Sequence, residues 1–196
     1  MPDAGIAGQA RKVVTILFVD ISGSTELGER LDPELMRGAM TRYFAVAREV
    51  IERHGGTVEK FIGDAVMAVF GVPVLHEDDA LRAVRAAFET REAIGRLNEE
   101  LVAQNGVGLQ VRIGVNTGEV VAGEASSAET FVTGDAANIA ARLESAASPG
   151  EILIGEPTQV LVRDLAVTEP VPDLSLKGKG YPTRAHRLIA VAPATS

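Results

Sequence analysis

Two aspartates, Asp20 and Asp64, stand at the ends of strongly apolar runs. Asp20 closes "VVTILFVD" and is followed at once by Ile21, Ser22, Gly23, Ser24 and Thr25. A turn of that composition leaves backbone amides free at a helix start, so a carboxylate and an anion-binding turn lie side by side. Asp64 follows Gly63 in "KFIGDAVMAVF", between two alternating apolar segments, the Gly-X pattern of a two-residue hairpin turn. Each has an ordinary reading alone, Asp20 as a helix cap and Asp64 as a turn residue bonding its own backbone. Consecutive elements tend to be neighbours in space. A hairpin beside the first strand then brings both carboxylates to one sheet edge, where they repel unless cations lie between them. Hard oxygen ligands of this kind suit magnesium or manganese, which complete their shells with water and substrate phosphates. The chemistry this points to is two-metal phosphoryl transfer.

A second set of polar and charged groups has an ordinary reading beside a candidate role in a site. Lys60 lies on the hairpin strand with Val58 and Ile62 on its own face, so its ammonium either snorkels or points into a pocket or interface. Asn138 and Arg142 are an i, i+4 pair on one helix face, which reads equally as a solvated flank. Lys177 and Lys179, in "LKGKG", form a glycine-flanked basic loop or a plain surface turn. His54, His76 and His186 have no ligand spacing and read as ordinary histidines.

These residues need elements to hold them. "VVTILFVD", 13–20, is apolar on both alternating faces, the pattern of a central strand covered on both sides. After Pro33, Met36, Met40, Tyr43, Phe44, Ala47, Val50 and Ile51 keep three-and-four spacing up to "HGG", a long amphipathic helix. "TVEKFI" and "AVMAVF" make the hairpin. A second helical stripe runs from Glu77 to about Asn105. "LQVRIGVNTGEVVAGEA" reads as a strand pair around "NTGE", and "DAANIAARLESAA" as a third long helix stopped by "SPG". "EILIG", a short helix near 157–164 and a strand near "AHRLI" close the chain. The plan predicted is α/β, more narrowly α+β: a ferredoxin-like split βαβ core with one antiparallel sheet and helices packed on one face.

At 196 residues and 46% hydrophobic content, the chain can bury one substantial core. The expected organisation is a tail over 1–11, a single domain over 12–190 and a tail over 191–196. The net charge of −8 argues against a nucleic-acid surface. With no cysteine there is neither a disulfide framework nor a thiolate metal site. No apolar run reaches the length of a membrane span and no signal peptide is evident, so a cytoplasmic location with no membrane contact is expected.

"FVDISGST", "GGTVEKFIGDAVMAVFG", "RIGVNTGEVVAGE", "TGDAANIAARLE" and "LKGKG" occur in an order and spacing that resembles the class III nucleotidyl cyclase catalytic domain of bacterial type, from about Val13 to Leu188. The resemblance implies a head-to-tail homodimer with two sites built across the subunit boundary. By motif position, Asp20 and Asp64 look like the carboxylates that hold two Mg²⁺ or Mn²⁺ ions per site. The backbone of Ile21 to Thr25 looks like the binder of the β- and γ-phosphates. Lys60 looks like the purine reader, serving the site whose metals belong to the other chain. Asn138 resembles the residue that orients the ribose, Arg142 the one that stabilises charge on the α-phosphate, and Lys177 the one that contacts the terminal phosphates. The implied activity is that of an adenylate cyclase, which forms 3′,5′-cyclic AMP and pyrophosphate from ATP, in a domain of a larger signalling protein.

One position departs from the family pattern. The second purine reader, seven residues before Asn138, is Phe131, whose ring accepts no hydrogen bond from an adenine amino group. Lysine at 60 leans towards ATP, because guanylyl members usually carry Glu there. Two other readings stay open: a guanylate or relaxed-purine cyclase, and a weakly active or inactive cyclase-like module that binds nucleotide and dimerises.

Overall fold

The computed structural model describes residues 9–123, 131–175, 180 and 182–194. In chain order these form β1 (Gln9–Ser22), α1 (Ser24–Arg30), α2 (Pro33–Arg53), β2 (Thr57–Ile62), β3 (Ala65–Phe70), α3 (Asp79–Asn105), β4 (Gln110–Gly123), β5 (Phe131–Thr133), α4 (Asp135–Ala146), β6 (Ile152–Gly155), α5 (Glu156–Val162), β7 (Ala166–Pro170) and β8 (Ala185–Val191). The strands share one sheet in the order β2-β3-β1-β4-β6-β8-β7, with β5 paired to β4. All pairings are antiparallel except β4 with β6. No described helix is long and apolar enough to cross a membrane.

β1 is the axis of the sheet and is covered on both faces, as its uninterrupted apolar run requires. Leu17, Val19 and Ile21 pack with Tyr43, Ala47 and Ile51 of α2 and Val84, Ala87 and Ile94 of α3. Val14, Ile16 and Phe18, on the opposite face, pack with Met67 and Val69 of β3 and with Ala136 and Ala140 of α4. The helices therefore lie on both sides of the sheet, which corrects the one-sided packing expected from element order.

A second correction concerns "NTGE". The predicted strand pair is a single strand, β4, whose 14 residues pair with β1 from Gln9↔Gly123 to Ser22↔Gln110. The polar residues that mimic a turn are consumed inside the fold. Thr117 Oγ1 lies 2.9 Å from both Thr15 Oγ1 and Thr158 Oγ1, and Asn116 Nδ2 donates to Ala136 O at 3.3 Å. With their hydrogen-bonding groups satisfied across neighbouring elements, nothing forces the chain to reverse.

β2 and β3 form the predicted hairpin, turning at Gly63, whose φ of +62° suits glycine, and Asp64. α4 sits unusually close to β4. A Cβ on Gly114 would lie 2.2 Å from Ala140 O and 2.4 Å from Glu144 N, so only glycine admits the helix backbone at this depth. That contact fixes the height of the helix carrying Asn138 and Arg142.

Candidate active site

The β1–β3 register places Val19 opposite Val66, so Asp20 lies beside the start of β3 and the turn that carries Asp64. On the other side Asp20 is paired with Arg112 of β4. Arg112 Nη2 donates to Asp20 Oδ2 at 3.2 Å, while Oδ1 is buried with no hydrogen-bond partner. Burial raises the Asp20 pKa above the ordinary carboxylate value, and contact with Asp64 raises it further, against the opposing pull of Arg112. The two carboxylates predicted to meet do so, and their electrostatics are those of a pair short of positive charge.

This arrangement fits divalent cations. An orphaned buried carboxylate oxygen next to a second carboxylate is a hard anionic donor set without its counter-charge. Among the described residues no group of three or more His, Cys, Asp or Glu is placed to hold a metal. Two side chains would therefore leave most of the coordination shell to water and a phosphorylated ligand, the usual situation for magnesium.

Three further groups gather here that sequence reasoning did not single out. Glu144, on the sheet side of α4, is buried, with its Oε1 3.3 Å from Arg112 Nη2. Burial, then the charge of Asp20, pushes its pKa up to about 7 from 4.5, with Arg112 opposing. Tyr43 is fully buried and donates from its hydroxyl to Val19 O at 3.2 Å, fixing the backbone just before Asp20. Burial, then the charges of Asp20, Asp64 and Glu144, raises its pKa, so it remains a neutral donor. The signal for Arg112 was a lone cation inside the apolar strand "VRIGV"; for Glu144 it was an acid among helix positions that pack on the sheet.

The raised Glu144 pKa has a testable sign. Folding favours its protonated form, so its contribution to stability is complete below about pH 4.5 and is lost as pH rises through about 7. Asp20 is shifted the same way. The metal-free protein is expected to lose on the order of 2 kcal/mol between pH 5 and 8. Thermal unfolding across that range checks this, and Glu144→Gln should flatten the slope.

Lys60 and Asn138 line a groove of about 590 Å³ on the α4 side of the sheet, together with Phe18, Met67 and Ala141. Ile62 and Ala65, on either side of the Gly63–Asp64 turn, and Glu144 line it too, whereas Asp20 and Asp64 are not among its lining residues. Arg142 is half-buried one helical turn beyond Asn138 and lines no part of this groove. Ile21, which is buried, and Ser22 are the last residues of β1 and not a turn, and Gly23 leads into α1, where Leu27 N donates to Gly23 O at 3.0 Å. Ser24 and Thr25 begin that helix. The backbone of Phe131 pairs with Gly123 in β5. Lys177 lies outside the described residues. The three histidines pair with carboxylates: His54 with Glu89, His76 with Asp79 and His186 with Glu156.

A family model described as the adenylate and guanylate cyclase catalytic domain matches residues 6–188. The chain is 34% identical over 191 residues to an adenylate cyclase of Anabaena cylindrica, an alignment covering 91% of this chain and 36% of that one. Among solved structures, the adenylyl cyclase CyaB of P. aeruginosa superposes with a TM-score of 0.90 at 31% identity, covering 96% of this chain and 99% of the other. The guanylyl cyclase Cya2 superposes with a TM-score of 0.87 at 33% identity, covering 94% and 95%. The chain spans about a third of the length of the curated relatives it matches.

Proposed function

The chain belongs to the adenylate and guanylate cyclase catalytic domain family, and from that premise we propose that it converts ATP to 3′,5′-cyclic AMP and pyrophosphate at sites shared across a head-to-tail homodimer. The observation that carries the reading is the Asp20–Asp64 pair, with one carboxylate oxygen buried and unpartnered. The reaction joins the ribose 3′-oxygen to the α-phosphorus and breaks the bond from that phosphorus to the oxygen bridging to the β-phosphate. Pyrophosphate departs with the electron pair, and the 3′-hydroxyl proton passes to solvent.

Asp20 and Asp64 hold the cations, with Arg112 and Tyr43 fixing Asp20 from the side and from behind. Two divalent ions, Mg²⁺ or Mn²⁺, would when bound there lower the pKa of the attacking hydroxyl and take up charge on the α-phosphate. The backbone from Ile21 to Thr25, where β1 passes into α1, receives the β- and γ-phosphates. The other chain supplies Lys60 and Asn138, which share a groove, for the purine edge and the ribose. Arg142, one turn further on, meets the charge that develops at the α-phosphate. Lys177 completes the contacts to the terminal phosphates. Catalysis on this account is positioning plus charge stabilisation. Further domains, in a protein longer than this chain, regulate the dimer.

Phe131 favours a second reading, relaxed purine selection. With one polar reader replaced by a phenyl ring, discrimination falls to Lys60 and backbone groups, and a missing hydrogen-bonding partner is what sharp rejection depends on. Purified protein given ATP or GTP with Mg²⁺ or Mn²⁺ tests both. Cyclic AMP should form from ATP, with GTP turned over more slowly. Comparable rates establish the relaxed reading, and no product from either nucleotide overturns the assignment of catalysis.

A further inference from the structure

One guanidinium joins the proposed cation site to α4. Arg112 Nη2 lies 3.2 Å from Asp20 Oδ2 and 3.3 Å from Glu144 Oε1, and Nη1 donates to Ser145 O at 3.4 Å. Side-chain exposure is 28% at Arg112, 18% at Asp20 and 8% at Glu144, so the guanidinium at the middle of the bridge is its most exposed member and Glu144 its most buried. Only the contact to Asp20 has hydrogen-bond geometry among the two carboxylates. Asp20 Oδ1, Arg112 Nε and Glu144 Oε1 are all buried without a hydrogen-bond partner. A self-contained structural ion pair would satisfy those atoms, because an unmet buried polar atom is costly.

Glu144 is the stationary member. Its own backbone amide packs against Gly114, so closely that a Cβ there would lie 2.4 Å from it. Its second oxygen receives the Ser145 hydroxyl at 3.4 Å. Asp20, by contrast, lies two residues before the end of β1, and Arg112 alone would follow whichever rotamer Asp20 took. With Glu144 holding Arg112 from the inner side, Asp20 Oδ2 is engaged and Oδ1 is left for another positive charge beside Asp64.

We infer that Glu144 is a positioning residue: acting through Arg112, it holds Asp20 in the orientation that presents Oδ1, with Asp64, to a divalent cation. The inference rests on the reading of Asp20 and Asp64 as the cation pair. Glu144 also lines the groove shared by Lys60 and Asn138, and the inference assigns its effect on the cation to the site to which its own chain supplies Asp20.

Mn²⁺ binding to the full chain, read from the electron paramagnetic resonance of free and bound Mn²⁺ with a non-cyclising ATP analogue, tests this without turnover. Glu144→Gln keeps the shape and removes the charge, and should weaken Mn²⁺ binding by about 10- to 100-fold, the range for partners behind a metal ligand. Arg112→Lys, which keeps the charge and loses the fork, should weaken it as well and serves if Glu144→Gln does not fold. Unchanged Mn²⁺ affinity in a folded variant, when Asp20→Ala has lost it, overturns the inference alone. Retained affinity in Asp20→Ala overturns the cation-pair reading and the inference with it.

Placement in mixed dimers separates positioning from helix packing. Glu144→Gln on the chain that supplies Asp20 to the working site should raise the Mn²⁺ concentration for half-maximal rate. On the chain that supplies Asn138 and Arg142, any effect through the groove it lines should fall on the nucleotide KM and leave that Mn²⁺ concentration unchanged. Equal effects from both placements would reduce Glu144 to a packing residue.

Discussion

Asp20→Ala and Asp64→Ala should each lower cyclase activity by about 10²- to 10⁴-fold, the several kcal/mol that metal-based charge stabilisation supplies. The argument is electrostatic. The two carboxylates lie together, and Asp64 raises the pKa of Asp20. Neither arrangement benefits the empty fold, because like charges side by side cost stability unless a cation offsets them. Removing one should therefore leave the metal-free protein about as stable as before, and Asp64→Ala more so than Asp20→Ala, which also deprives Arg112 of a partner. Product formation with Mn²⁺, measured beside thermal unfolding with and without the ion, checks both halves. The variants should lose activity and the stabilisation that Mn²⁺ gives, while keeping the metal-free midpoint. Activity within about tenfold of the parent in either variant would remove the basis for the metal assignment.

The second large effect is a recovery. Asp20→Ala and Arg142→Ala should each be nearly inactive as homodimers, since every site then lacks either its cation ligand or its charge donor, the latter about 10²- to 10³-fold by analogy with an oxyanion donor. When the two chains are mixed, each heterodimer contains one site with both defects and one with neither. Random assortment makes half of the dimers mixed, with one good site of two, so about a quarter of the parent activity should return. The placement in the fold motivates this: Asp20 and Asp64 lie near the end of β1 and at the hairpin turn, whereas Arg142 stands on α4, one helical turn beyond Asn138. Verified heterodimers that stay inactive would mean that each chain builds its whole site alone.

Much of the geometry was legible in the sequence because local signals and tertiary packing agree there. The apolar run ending at Asp20, the Gly63–Asp64 turn and the helical stripes of α2 and α3 each form where pattern and turn chemistry place them. Adjacency of consecutive elements then brings Asp20 and Asp64 together. What stayed hidden depends on non-local satisfaction. "NTGE" carries turn residues, yet Thr117 and Asn116 find their partners on β1, α5 and α4, so β4 runs on. Among the described residues β7 pairs only with the last strand, and its run of five residues is too short to announce itself by alternation. Arg112 and Glu144 were invisible as a pair for the same reason: 32 residues separate them, and only the seating of α4 on Gly114 brings one to the other. The two-sided cover of the sheet was present in the β1 pattern itself and was obscured by counting helices in order of appearance.

The central claim is that Asp20 and Asp64 share divalent cations that hold a triphosphate completed by a second copy of the chain. The most direct measurement is anomalous scattering from Mn²⁺ in crystals grown with a non-cyclising ATP analogue. The account predicts anomalous peaks at coordination distance, about 2.1 Å, from carboxylate oxygens of both Asp20 and Asp64 in one chain, with the base of the same nucleotide against Lys60 of the other. Manganese bound elsewhere, or a nucleotide whose base and phosphates are both held by a single chain, would contradict it.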